Sequence, residues 1–408
     1  MPELASAQAA ETWRAGPKEF FSRIESLLPE IRARAADTEK LGRVPDDIIQ
    51  GLTDAGVFRA VQPRQWGGLE LDLASFYEGM IRIASACGST GWVASVVGIH
   101  PWQIALFANE AQREVWAEDP DARASSSYAP TGSVRREADG FRLSGRWHFS
   151  SGVDHCGWVL LGAVVPDDGS GAEFRSFLVP RRDFTIDHES WNMAGLGGTG
   201  SKDVVVPGAF VPAHRTHRII DVFHGTDPGF AVNDRPYYRL PWRLVFATTI
   251  AAPAIGAAAG AIGAFIEQNR SRVPAYGGPP VAQSPALHRP LARALADVDA
   301  ARMRVRSTWT DFLSRLEAGQ TIPYEHRAQC LHEAAYAHAS CSGAIYELMG
   351  LGGGRTMAAP GALQRFFRDL LAMRNHPAAN LEFSATLYAQ AKLGVEPPPF
   401  VPTQRFVL

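Results

Sequence analysis

The hydrophobic period of this chain changes twice, so it must place a strand-built layer between two helical segments. From about Phe20 to Glu118 the apolar residues recur at helical spacing. Ile24, Leu27, Leu28 and Ile31 form one stripe; Ile48, Ile49, Leu52 and Val57 form another. From about Ser125 to Pro212 the period drops to two. Phe141, Leu143, Gly145, Trp147 and Phe149 fall on one face of a strand, and Arg142, Ser144, Arg146 and His148 on the other. Trp158–Val165 reads as a strand buried on both faces, and 174–179 and 203–206 as two more. After about Pro241 the helical period returns and holds to about Leu393.

The expected fold is mainly α with a central antiparallel β domain. Its parts are a flexible N-terminus (1–16), an N-terminal helical domain (17–122), a β-barrel-like middle domain (123–238) and a C-terminal four-helix bundle (239–408). The bundle helices are expected at 243–269, 284–316, 324–349, 362–373 and 380–391, joined by short loops.

Composition removes several classes. Forty Lys+Arg against 42 Asp+Glu leave a net charge of −2 over 408 residues. That balance excludes a protein that holds nucleic acid by bulk electrostatics. An apolar fraction of 46% is ordinary globular composition. Cys87, Cys156, Cys330 and Cys341 form neither a C-x-x-C pair nor a zinc-spaced set with His, so reduced thiols and a cytoplasmic location are expected. The start, MPELASAQAAETW, has no basic and apolar signal pattern. The long apolar run 244–265 is Ala- and Gly-rich, which suits a buried central helix rather than a membrane span.

Gly195-Leu-Gly-Gly-Thr-Gly200 matches G-x-G-x-x-G, but strand-like residues follow it. A dinucleotide fingerprint needs a helix there, so a turn near a ligand is the better reading. Gly350–Gly354 reads as a helix stop. The histidines give no H-E-x-x-H pattern and no metal set. With no nicotinamide unit, a redox enzyme of this sequence must take its electrons from its substrate or from another protein.

Four segments concentrate polar and aromatic groups. In the first, Trp92 and His100 lie eight apart and share a helix face, where a core Trp and a satisfied His are the plainer reading. The second is Ser125-Ser-Ser-Tyr128-Ala-Pro130, which could equally be a simple turn. In the third, Trp147-His-Phe149-Ser150-Ser151-Gly152, an aromatic strand face is followed at once by hydroxyls, which suits a planar heterocycle. The fourth is Met373-Arg-Asn-His376-Pro377, a histidine in a loop between two helices.

The helical–β–helical order resembles the acyl-CoA dehydrogenase fold. So do GSTGW at 88–92, SSSYAP at 125–130, FSSGVDHCGW at 149–158 and GLGGTGSKDVVVP at 195–207. The similarity runs through nearly the whole chain from about Ile24 and is densest over 62–164. Within that superfamily the chain resembles the oxygenase components of two-component flavin-dependent monooxygenases. The dehydrogenase branch carries a carboxylate base soon after a late Arg-Asp pair. Here Arg368-Asp369 is followed by Asn375-His376-Pro377, with no carboxylate.

That resemblance implies reduced FMN (FADH2 being the alternative), O2 and a separate NAD(P)H:flavin reductase. It implies aromatic hydroxylation through a C4a-hydroperoxyflavin. By the same resemblance His376 is the base for a phenolic substrate, Ser151 the partner of flavin N5, and His100 the histidine near the oxygen site. Trp92, Ser126, Phe149 and Ser150 match flavin contacts. Arg272 resembles an arginine that reaches the flavin phosphate across a subunit interface, which implies a homotetramer. Tyr128 and Trp147 are expected to line the substrate site, with no membrane or nucleic-acid partner. N- or S-oxygenation, a dehydrogenase with a displaced base, and a non-enzymatic flavin-storage role stand as alternatives.

Overall fold

The computed structural model describes residues 16–166, 171–275 and 277–396. Residues 1–15, which make up nearly all of the expected flexible N-terminus, lie outside them. The first helices are α1 (Pro17–Ala33), α2 (Ala35–Leu41), α3 (Asp46–Asp54), α4 (Leu73–Ala86), α5 (Gly88–Ile104) and α6 (Asn109–Trp116). Eight strands follow: β1 (Ala124–Ser127), β2 (Ser133–Glu137), β3 (Gly140–Ser150), β4 (Trp158–Val165), β5 (Glu173–Pro180), β6 (Thr185–Asp187), β7 (Lys202–Pro212) and β8 (Thr216–Arg218). The chain then returns to helix with α7 (Ile219–His224), α8 (Trp242–Arg270), α9 (Pro285–Glu317), α10 (Tyr324–Leu351), α11 (Ala362–Arg374) and α12 (Leu381–Lys392).

The late helices begin and end within two residues of the expected positions. Helix α5 starts at Gly88 and stops at Ile104. Its residues are buried nearly all round, so no amphipathic stripe marks its ends.

The helices before and after the strands share one continuous core, in which α4 and α5 pack against α8. A Cβ at Gly256 of α8 would sit 2.2 Å from the Ile81 carbonyl oxygen, so the α4–α8 crossing requires glycine there. Pro253 inside α8 has no N–H and therefore leaves the Thr249 carbonyl without its helical donor. Ser95 of α5 supplies one, its Oγ donating to Thr249 O at 2.7 Å. Helix α8 is long and apolar enough by composition to cross a membrane, but 72% of its most apolar stretch is buried inside the protein.

The strands form two four-stranded sheets, in the orders β1-β4-β5-β8 and β2-β3-β7-β6. Phe141, Leu143, Trp147, Leu161, Phe177 and Val204 belong to one core cluster between them. All pairs are antiparallel except β1 with β4, which run parallel, so the expected antiparallel β domain carries one parallel pair. The serine run 125–127, for which a simple turn was an open reading, is strand β1. The β2–β3 hairpin intervenes between β1 and β4, so the two can run side by side in the same direction.

The strict alternation expected along β3 also fails at its end. The β3–β7 register shifts between Trp147 and Ser150, and Phe149 adopts φ 64°. Trp147, before the shift, is fully buried on the same face as Phe141 and Leu143, while Phe149 swings outward and is 64% exposed.

Candidate active site

One cavity of about 460 Å³ opens where α5, β1, the end of β3, the 191–201 loop, the start of α8 and the 375–384 segment meet. Its size suits a small-molecule site. Helix α5 contributes Trp92 and His100 two turns apart; β1 contributes Ser126 and leads into Tyr128. The distorted end of β3 brings Phe149 and Ser151, and the turn after α11 brings His376. Sequence segments more than 280 residues apart thus converge.

His100 is fully buried and donates from Nδ1 to the Ala124 carbonyl at 2.7 Å. Burial pushes its imidazole down to about 4, so it is neutral near pH 7. Its Nε2 is then an acceptor, and Ser126 Oγ donates to it at 2.9 Å. Ser126 lone pairs remain for a ligand. The Tyr128 hydroxyl donates to Gln103 Oε1, and burial raises its pKa.

His376 stands edge-on to Trp92, with ring centroids 5.7 Å apart. Burial pushes it down to about 4 as well. Its Nδ1 accepts the backbone N–H of Ala378 at 3.1 Å, capping a short turn that begins at Pro377. The neutral ring therefore carries its proton on Nε2.

Trp92 Nε1 donates to Ser151 Oγ at 3.0 Å, and Ser151 shares a 2.7 Å hydrogen bond with Ser201. The loop bearing Ser201 is pinned by the Arg-Asp pair of α11. Arg368 donates to Ala194 O, and Asp369 Oδ1 accepts Leu196 N–H at 2.6 Å. Burial pushes Asp369 up to about 7. A Cβ at Gly195 would lie 2.1 Å from the Arg368 carbonyl oxygen, so the loop docks on α11 only as glycine.

Three expected site residues are elsewhere. Trp147 lies in the core between the sheets, its Nε1 donating to Gly162 O at 2.9 Å, and it does not line the cavity. The β3 register shift separates it from Phe149. Ser150 points inward and donates to Ser125 Oγ at 2.9 Å. Arg272 follows the C-terminal end of α8 and bonds Asn269 and the Gly352 carbonyl. The cavity-lining part of α8 ends at Ile250, roughly 30 Å back along the axis at helical rise.

Several lining residues were not singled out from sequence. Trp242 and Phe246 are two of these: their rings stack at 4.6 Å and form an aromatic corner with the expected Tyr128, which is edge-on to both. Trp191 meets Phe149 edge-on at 6.2 Å. Arg243, its guanidinium over the Phe383 ring, brings a positive charge to the cavity; burial lowers it to about 10. The available signal was Trp242-Arg243-x-x-Phe246 opening an otherwise Ala/Gly-rich helix. No Asp or Glu lines the cavity among the described residues.

Known proteins resemble this chain in sequence and fold. The family models for the N-terminal and C-terminal domains of acyl-CoA dehydrogenase match residues 25–119 and 248–381. The chain is 41% identical over 376 residues to the flavin-dependent monooxygenase oxygenase subunit HsaA of Rhodococcus jostii, covering 92% of this chain and 98% of that one. It is 34% identical to the oxygenase component of p-hydroxyphenylacetate 3-hydroxylase from Acinetobacter baumannii, covering 93% and 90%. The crystal structure of a 3-HSA hydroxylase from Rhodococcus superposes with a TM-score of 0.90 at 40% identity, covering 93% and 98%. The chain is a flavin-dependent monooxygenase of the acyl-CoA dehydrogenase fold and belongs to the family of oxygenase components.

Proposed function

We propose that this chain hydroxylates a phenolic or polycyclic aromatic substrate with reduced FMN and O2, FADH2 being the alternative cofactor. The observation that carries this reading is a large aromatic-walled cavity lined by His100, His148 and His376 and, among the described residues, by no carboxylate. A dehydrogenase needs a carboxylate-type base for α-proton abstraction, and none lines the site among the described residues. Bound reduced flavin supplies, with O2, an electrophilic oxygen.

The residues fit a planar heterocycle beside a second ring. Trp92, Phe149 and Trp191 offer apolar walls, and Ser151 and Ser126 offer hydroxyl oxygens at the edge. His100, held neutral, anchors Ser126. His376 is assigned to the substrate oxygen: its Nε2–H favours binding of the substrate as phenolate, the more nucleophilic form, whose oxygen charge flows into the ring as it attacks. The base role implied by the family resemblance needs the imidazole proton on Nδ1, where the Ala378 N–H opposes it. That supports His376 as a donor to a phenolate more than as its deprotonator.

Arg272 lies far from this chain's own cavity, so the phosphate role implied by the family resemblance requires a second copy of the chain, as in a homotetramer with shared sites. The absence of a nicotinamide unit supports a separate NAD(P)H:flavin reductase, and a cytoplasmic setting accords with the four free cysteines. The test supplies reduced FMN and a panel of phenols in air, and looks for products heavier by one oxygen atom. Oxidation of a CoA thioester without oxygen incorporation would instead establish the dehydrogenase alternative.

A further inference from the structure

We propose that Thr199 and Ser201 are positioning residues that hold Ser151 as a hydrogen-bond acceptor, by polarising a hydroxyl chain in one direction from Trp92 to the Leu196 carbonyl. The inference rests on the reading above, that Ser151 meets the flavin N5.

Both ends of the chain are fixed by chemistry. At one end the Trp92 indole has a proton and no lone pair, so it can only donate to Ser151 Oγ, at 3.0 Å. At the other end a carbonyl can only accept, so Thr199 Oγ1 donates its one proton to Leu196 O, at 2.8 Å. Thr199 and Ser201 lie 2.6 Å apart. Since the Thr199 proton is committed, Ser201 must donate to Thr199. The Ser201 proton is then committed too, so Ser151 must donate to Ser201 across their 2.7 Å contact. The order is Trp92 to Ser151 to Ser201 to Thr199 to Leu196 O.

The chain cannot easily slide or flip. Leu196 sits in the left-handed region at φ 56°, and Asp369 holds its N–H. Thr199 and Ser201 are 1% and 4% exposed, so bulk water has little access to their protons, although Ser201 borders the cavity.

The consequence falls on Ser151. Its proton is spent on Ser201, so toward the cavity it has only a lone pair. Reduced flavin carries a proton on N5 and meets that lone pair favourably. Oxidised flavin has a lone pair on N5, so two acceptors would face each other. The chain thus makes the cavity selective for the reduced cofactor from two residues beyond the contact.

Thr199→Val keeps the shape but removes the hydroxyl. The Ser201 proton then has Ser151 as its acceptor, the chain reverses, and Ser151 regains a proton to donate. Ser201→Ala releases the Ser151 proton directly. The experiment measures anaerobic dissociation constants for photoreduced and oxidised FMN on wild type, Thr199→Val, Thr199→Ser, Ser201→Ala and Ser151→Ala. Each ratio compares two ligands on one protein, so a smaller folded fraction cancels.

The expected result is a roughly tenfold loss of reduced-over-oxidised preference in Thr199→Val and Ser201→Ala, with Thr199→Ser near wild type. Ser151→Ala should lose preference too. An unchanged ratio in Thr199→Val and Ser201→Ala, with Ser151→Ala lowered, overturns the positioning role alone. An unchanged ratio in Ser151→Ala overturns the N5 assignment beneath it.

Discussion

The backbone N–H of Ala378 donates to His376 Nδ1 at 3.1 Å, and that single contact sets what the imidazole can offer a substrate. A neutral ring so capped presents Nε2–H to the cavity. The same turn that fixes the loop after α11 therefore also fixes the tautomer.

His376→Ala should lower phenol hydroxylation about a hundredfold or more. His376→Gln, which restores an N–H donor, should recover part of it. Burial holds His376 near 4, below its ordinary 6.5, so it stays neutral as pH falls through 6.5 and gains charge only near 4. A pH–rate profile should show the His376 limb near 4. A limb at 6.5 that disappears in His376→Gln would contradict the assignment.

Arg243 brings a cation to an otherwise aromatic wall. Arg243→Leu should raise KM for anionic aromatic substrates by at least tenfold and leave neutral phenols much less affected. Steady-state kinetics on a matched acid and amide pair reads the difference. Equal losses on both would assign Arg243 to packing.

Ser95→Ala removes the donor to Thr249 O, which Pro253 has already deprived of its helical partner. A buried carbonyl left unsatisfied costs about 1–3 kcal/mol. Chemical denaturation should show that loss with an unchanged m-value. Pro253→Ala in the same background should regain stability by restoring the helical N–H.

Asp369 is buried, and its folded pKa is raised from 3.8 to about 7. Between those values the folded protein binds the proton and the unfolded chain does not, so this group subtracts stability as pH rises from about 4 to 7. Asp369→Asn keeps the acceptor for Leu196 N–H without the charge. Its stability relative to wild type should therefore increase over that window and level off above it. Denaturation midpoints at pH 5 and 8 check the sign.

Much of the site was legible because short strings carry it. Trp92 and His100 share a face of α5 because eight residues make about two turns, and Ser126, Tyr128, Phe149, Ser151 and His376 all line the cavity. Trp147 was misplaced because alternation assumes an unbroken strand. Its ring stays in the sandwich with Phe141 and Leu143, and the shift of register after it turns Phe149 alone outward to the cavity. Arg243, Phe246 and Trp191 went unmarked because each sits in a segment whose local pattern announces only helix or loop.

The sequence alone determined the helix–strand–helix order, the ends of the long late helices and the lack of a carboxylate after Arg368-Asp369. These are properties of periodicity and of residue type, which need no knowledge of neighbours. Only the tertiary structure decided that helices on both sides of the strands share one core, that β1 runs parallel to β4, and that Ser151, Ser201 and Thr199 form one chain. Each depends on which surfaces meet, and residues as far apart as Trp92 and His376 become neighbours only when α8 and α11 pack beside α5. The direction of the hydroxyl chain is further removed still: it follows from an indole at one end and a carbonyl at the other, brought together by folding.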